Sequence, residues 1–114
     1  IKGLKEWKIK QKIDFSDCPI TKTAEVLEGK WSLPIIFSLI KETKRFKELE
    51  RQIEGINTRM LVKELKQLEN NGIVVRKVYP EIPPKVEYSL TEKGRALKNV
   101  LIEMRNWGNE YITK

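Results

Sequence analysis

INTRMLVKELKQLENNGIV, residues 56–74, is the stretch on which the reading of this chain turns. Leu61, Leu65 and Leu68 recur at steps of four and three, so they line one stripe of an amphipathic helix. Asn57 stands where an N-cap is needed, Ile56 and Leu61 where a hydrophobic staple forms, and Asn71-Gly72 suits a left-handed C-cap. With successive side chains rotated by about 100° and Leu61 set at zero, Val62 falls at ~100°, Lys66 at ~140°, Arg59 at ~160°, Asn70 at ~180° and Lys63 at ~200°. The face opposite the leucines is therefore cationic and amide. Glu64 and Glu69, the only acids of the stretch, lie toward the flanks of the leucine stripe. A solvated surface accounts for a lone basic helix, because exposed Lys and Arg are common. The neighbours of this helix point further.

Upstream, RFKELERQIEGI (45–56) sets Phe46, Leu49, Ile53 and Ile56 at steps of three, four and three, a helix expected to close at Gly55. Only Glu54 to Ile56 separate it from the next helix, so residues 45–71 read as a helix-turn-helix. Downstream, IVVRKVYPEIPPKVEYSL (73–90) has two β-rich runs around PEIPP. Prolines stay out of a central ladder, which makes this a hairpin with a stiff tip, a wing.

TEKGRALKNVLIEMRNWGNEYIT (91–113) reads as one helix capped by Thr91. Its apolar residues recur at threes and fours, and a terminal helix on a small domain buries only part of such a stripe. Leu97, Leu101, Met104, Trp107 and Tyr111 are thus candidates for contact with a second chain. CPITKTAEVLEGK (18–30) gives an earlier helix, with Pro19 in its first turn, Ile20, Ala24 and Leu27 on one face, and Gly29 as its stop. WSLPIIFSLIKET (31–43) must start near Trp31 for Pro34 to be tolerated, and its broad face of Ile35, Ile36, Leu39 and Ile40 predicts deep burial. Residues 1–17 form a basic arm. Its near-alternating Trp7, Ile9, Ile13 and Phe15 suit an extended segment, while Leu4 and Trp7, three apart, suit a short helix. In either form it needs the body or another chain to pack on, which adds Leu4 and Trp7 to the candidate dimer contacts. The expected fold is α+β and mainly helical, a single domain over 1–114 with a hairpin wing and a C-terminal dimerisation helix.

Bulk properties agree. There are 114 residues with a formal charge of +7, so polyanions are the natural partners, nucleic acid ahead of an anionic membrane. No apolar run approaches the roughly 20 residues of a membrane span, and the opening IKGLKEWKIK has no signal-like apolar region. One cysteine, Cys18, cannot form an internal disulfide, and a reducing cytoplasm is the expected compartment. With no His, no Gly-rich phosphate loop and no nucleophile–base pair, the chain reads as a non-enzyme that needs neither cofactor nor metal.

Double-stranded DNA gives the cationic helix face a reason. The major groove admits one α-helix and displays distinct donor and acceptor patterns. Arg59 suits guanine O6 and N7. Asn70 or Asn57 suits adenine, although Asn57 is better spent as the cap. Thr58 and Val62 suit a thymine methyl, and Lys63 and Lys66 suit phosphates, which position without specifying. Arg76, Lys77 and Lys85 would hold the wing to the backbone or minor groove, although ordinary exposed strand charge explains them equally well. Lys44, Arg45 and Lys47 are further phosphate candidates.

The motifs GKW at 29–31, RFKEL at 45–49, the leucine-striped helix, VYPEIPPKVEYSLTEKG at 78–94 and WG at 107–108 together resemble the HxlR-type winged helix-turn-helix transcription regulators, relatives of the MarR group. The resemblance runs from Cys18 to about Tyr111. It implies a homodimeric bacterial DNA-binding regulator that pairs through its N-terminal segment and last helix. Pro34 and Lys47 depart from the family pattern, at helix starts. The resemblance also matches Cys18 to an N-terminal cysteine that in some members senses oxidants or electrophiles. At a helix start and near Lys22, its thiolate is favoured; adjacent Asp17 opposes this, and a free cysteine is often just a small buried hydrophobe. With no second cysteine, any disulfide must join two chains or a small thiol. Two rivals remain open: a winged-helix module for an acidic protein, and a small-molecule sensor with Trp31, Trp107 and Tyr111 lining a pocket, aromatics that core and dimer packing also explain.

Overall fold

A computed structural model of the chain describes residues 14–113. Leu4 and Trp7 lie outside the described residues. After a short 3₁₀ turn at Phe15–Asp17 the elements run α1 (Pro19–Leu27), α2 (Ser32–Lys41), β1 (Lys44–Arg45), α3 (Phe46–Gln52), α4 (Thr58–Asn70), β2 (Val74–Tyr79), β3 (Lys85–Leu90), α5 (Glu92–Arg95) and α6 (Lys98–Tyr111). The three strands form one antiparallel sheet in the order β1-β3-β2.

The core forms where the helical stripes meet one face of the sheet. Ile35 and Ile36 of α2, Leu49 of α3, Leu61, Leu65 and Leu68 of α4, Ile73 and Leu90 beside the hairpin, and Leu101 of α6 are all buried. Each anchors its element, since apolar area removed from water is worth ~25 cal/mol per Å². Asn57 caps α4 as expected, its Oδ1 accepting from the Met60 N–H at 2.8 Å. The helix closes through Gly72, whose φ of 73° a side chain would resist. α2 begins just after Trp31, which leaves Pro34 in the first turn.

Three boundaries depart from the sequence reading. The first helix of the helix-turn-helix ends at Gln52, not Gly55, because Ile53 turns extended and buries its side chain. Residues 44–45 form a short strand: Lys44 pairs with Tyr88 and Arg45 with Glu87. The predicted single helix over 91–113 is split. Thr91 Oγ1 accepts from the Gly94 N–H at 3.0 Å, and a tightened turn, the Leu97 N–H to Gly94 O, then separates α5 from α6. Gly94 is buried, and a Cβ on it would stand 2.2 Å from the Ile73 carbonyl oxygen, so only glycine lets α5 lie this close to the hairpin.

Candidate nucleic-acid interface

With Leu61, Leu65 and Leu68 pinned in the core, α4 turns Thr58, Arg59, Val62, Lys63, Lys66 and Asn70 to the surface, all exposed. Arg59, Lys63 and Lys66 form no ion pair with any described residue. Thr58 is different: its hydroxyl donates to the Glu50 carboxylate of α3, tying the two helices together. Glu64 faces the other way and accepts from Ser32 Oγ at 3.3 Å, which removes one acid from the strip.

The hairpin distributes its cations by strand parity. Arg76 pairs across the ladder with Tyr88, on the sheet face that continues into the core. It lines a cleft of about 700 Å³ with Thr58, Val62 and Lys66 of α4, so helix and wing converge there over an apolar floor of Phe46, Leu65, Val86 and Tyr88. Lys77 and Lys85 lie on the opposite face. Their ammonium groups stand 5.1 and 5.0 Å from the Tyr79 ring centre, and Lys85 Nζ pairs with Glu87 at 3.3 Å. Partial burial works to raise the Glu87 carboxyl. Hydrogen bonds from Tyr79 and Lys85, with the charges of Lys85 and Arg45, outweigh it and hold the group below its ordinary value.

Arg45 and Lys47, at the start of α3, face the hairpin loop across a second cleft that also holds Lys85 and Arg51. Arg51 is a cation the sequence reading passed over. Its position one turn beyond Lys47 on α3 was the available signal. Lys44 needs correction as a phosphate candidate: it is only 8% exposed, and its Nζ is taken up by Glu42 at 3.0 Å.

The remaining candidates divide. Cys18 is a free, half-buried thiol at the N-cap of α1. The amides of Thr21, then Ile20, favour its thiolate and lower its titration from the ordinary thiol range. Met104, Trp107 and Tyr111 are exposed on α6, the last two with ring centres 5.3 Å apart. Leu101 is corrected: at 7% exposure it belongs to the core of its own chain, and Leu97 is packed against that core. Trp31 is also packed on the core, beside Gly55. Between α1 and α6 runs an apolar groove of about 630 Å³ lined by residues that include Pro19, Ile20, Ala24, Leu27, Leu33, Val100 and Met104. Among the described residues, the Ile20 face of α1 is left exposed. Among the described residues no helix is long and apolar enough to cross a membrane.

Comparisons with known proteins agree with this geometry. The HTH-type transcriptional regulator YdeP of Bacillus subtilis, itself uncharacterized, is 44% identical over 98 residues, 86% of this chain and 77% of its own. A solved structure described as a MarR-family transcriptional regulator from Porphyromonas gingivalis W83 superposes with a TM-score of 0.82 at 41% identity, covering 90% of this chain and all of the other. The redox regulator HypR in its oxidized form superposes with a TM-score of 0.76 at 45% identity, over 82% of this chain and 96% of its own. The family described as HxlR-like helix-turn-helix matches residues 26–114. With a helix-turn-helix, a hairpin wing and a basic strip in hand, the chain belongs to the HxlR-like helix-turn-helix family of transcriptional regulators.

Proposed function

We propose that this regulator acts in the cytoplasm as a homodimer on a pseudo-palindromic duplex operator. Each α4 enters one major groove, with half-sites about one helical turn (roughly 10 bp) or a multiple apart. The observation that carries the reading is the exposed strip of Arg59, Val62, Lys63, Lys66 and Asn70, its cations in no ion pair with any described residue and its helix held by three buried leucines. Arg59 reads a base edge, Lys63 and Lys66 meet phosphates, and Arg76 closes on the backbone from the wing side. Arg45, Lys47, Lys77 and Lys85 add phosphate contacts around the hairpin. Pairing buries the apolar groove between α1 and α6 together with the Met104, Trp107 and Tyr111 face.

Selection from random duplexes, followed by mobility shift at two salt concentrations with competitor DNA, tests the reading. A preferred duplex that survives competitor supports it. A uniform shift that salt abolishes favours a protein-binding module.

Cys18 favours a second layer, a response to oxidants or electrophiles. Its support is the thiolate-favouring helix start together with the likeness to the redox regulator HypR. Diamide should release operator DNA from the wild type and not from Cys18→Ser. Equal release from both would assign the response to another group.

A further inference from the structure

α4 ends without a cation of its own. Its last turn, Gln67 to Asn70, holds the acid Glu69 and no base. A helix C-terminus carries partial negative charge and open carbonyls, so an acid there is unfavourable and a cation is what it lacks.

That cation comes from α5. Lys93 reaches back over the turn, and its Nζ donates to the Asn71 carbonyl oxygen at 2.8 Å. Its stem lies against Gly72, where an added Cβ would stand 3.8 Å from both Cδ and Nζ of Lys93. Thr91 takes the next two carbonyls: its hydroxyl donates to Gly72 O at 2.5 Å and its N–H to Ile73 O at 3.0 Å. Gly94 lies against the same Ile73 carbonyl. Three consecutive carbonyls, where α4 runs into β2, are thus held by residues 91–94. Of the side chains that hold them, Lys93 is the exposed one and the charged one.

α5 passes through the tightened turn at Gly94–Leu97 into α6, which is fixed on the core by Leu101. The path from α6 to the end of α4 is therefore short, and Lys93 stands on it. An exposed contact of this kind adds little to overall stability, because water screens it. Its leverage is geometric. α4 has 13 residues and is ~20 Å long, so a tilt of about 5° pivoted at its C-terminus carries the first turn, with Arg59, through about 1–2 Å. That exceeds the tolerance of a hydrogen bond to a base edge.

We propose that Lys93 is a positioning residue for α4: by holding its C-terminal end to α5, it sets the orientation of α4 relative to α6, and hence the half-site spacing that a pair of chains accepts. This rests on the homodimer and operator reading and adds to it a residue that touches no DNA.

Amide exchange in the free protein and fluorescence anisotropy on duplexes test it, with wild type, Lys93→Met and Lys93→Arg. Methionine keeps an unbranched stem and removes the charge; arginine keeps the charge and the donors. The Asn71, Gly72 and Ile73 amides all donate into the last turns of α4. In Lys93→Met they should exchange at least about threefold faster while the thermal midpoint stays near that of the wild type. The duplexes are the one selected by the wild type and versions with the half-sites one base pair closer or further apart. Wild type should prefer the selected spacing by about tenfold, Lys93→Met by about threefold or less, and Lys93→Arg as the wild type does. The salt dependence should be the same in all three, since no phosphate contact is lost. A log–log slope flattened by about 0.9 in Lys93→Met would make Lys93 a phosphate contact. Unchanged amide exchange, an unchanged spacing preference, or a preference that arginine does not restore would make it an ordinary surface lysine. Each of these overturns the proposal and leaves the operator reading standing. A wild type that selects no duplex with spaced half-sites sinks the operator reading before any variant is made, and this inference with it.

Discussion

Arg59 lies in the first turn of α4 and forms no ion pair with any described residue, so its guanidinium is available for a base without first breaking one. Arg59→Ala should cost about 1–3 kcal/mol on the selected operator and relax one base position, measured by competition between single-base operator variants. Lys63→Ala should weaken all sequences alike. Cys18 offers a residue-scale test that needs no DNA. Alkylation follows the thiolate, and the folded-state thiol ionises below its ordinary range. The iodoacetamide rate should therefore rise at lower pH in the folded protein than in urea. By linkage, the ionised thiol favours the fold above the unfolded pKa, and that contribution is lost as pH falls through the folded value. Coincident profiles would remove the helix start as an influence. The cationic strip was legible in the sequence because helical period alone sets which residues oppose three leucines. The engagement of Thr58 by Glu50 was not, because it depends on the angle between two helices rather than on spacing.

Element boundaries were legible wherever a local signal fixes them. The cap at Asn57, the stop at Gly72 and the proline-bounded hairpin loop all stand where their residue types demand. Asn57→Ala should cost about 1 kcal/mol, read as a lowered thermal midpoint. Where tertiary packing decides, spacing fell short. β1 is only Lys44 and Arg45, and it exists because β3 offers a free edge. The turn between α5 and α6 exists because Gly94 is pressed on the Ile73 carbonyl. Gly94→Ala must push the two apart, at about 1–3 kcal/mol, although alanine is the better helix former. A melt in which Gly94→Ala is as stable as the wild type would mean that α5 can shift without loss.

At the scale of the molecule, the last helix carries one broad apolar stripe that serves two ends. Leu101 marks its inward edge, and Tyr111 is rotated from it by about 80°. Threes-and-fours spacing cannot divide such a stripe, so Leu101 and Met104 looked equivalent until α2 was seen packed against one side. They should now separate sharply. Leu101→Glu puts a carboxylate among buried aliphatic groups, where an unpaired charge is strongly disfavoured, and should unfold the domain rather than divide a dimer. Met104 is 46% exposed at the rim of the α1–α6 groove, so Met104→Glu should keep its helix content and melt cooperatively while light scattering reports a monomer. Operator affinity should then fall steeply, because two half-sites engaged together gain from effective concentration and a single head does not. A Met104→Glu protein that stays dimeric with full operator affinity would move the pairing surface off this groove. A folded, monomeric Met104→Glu that still binds the full operator as tightly as the wild type would instead separate pairing from recognition.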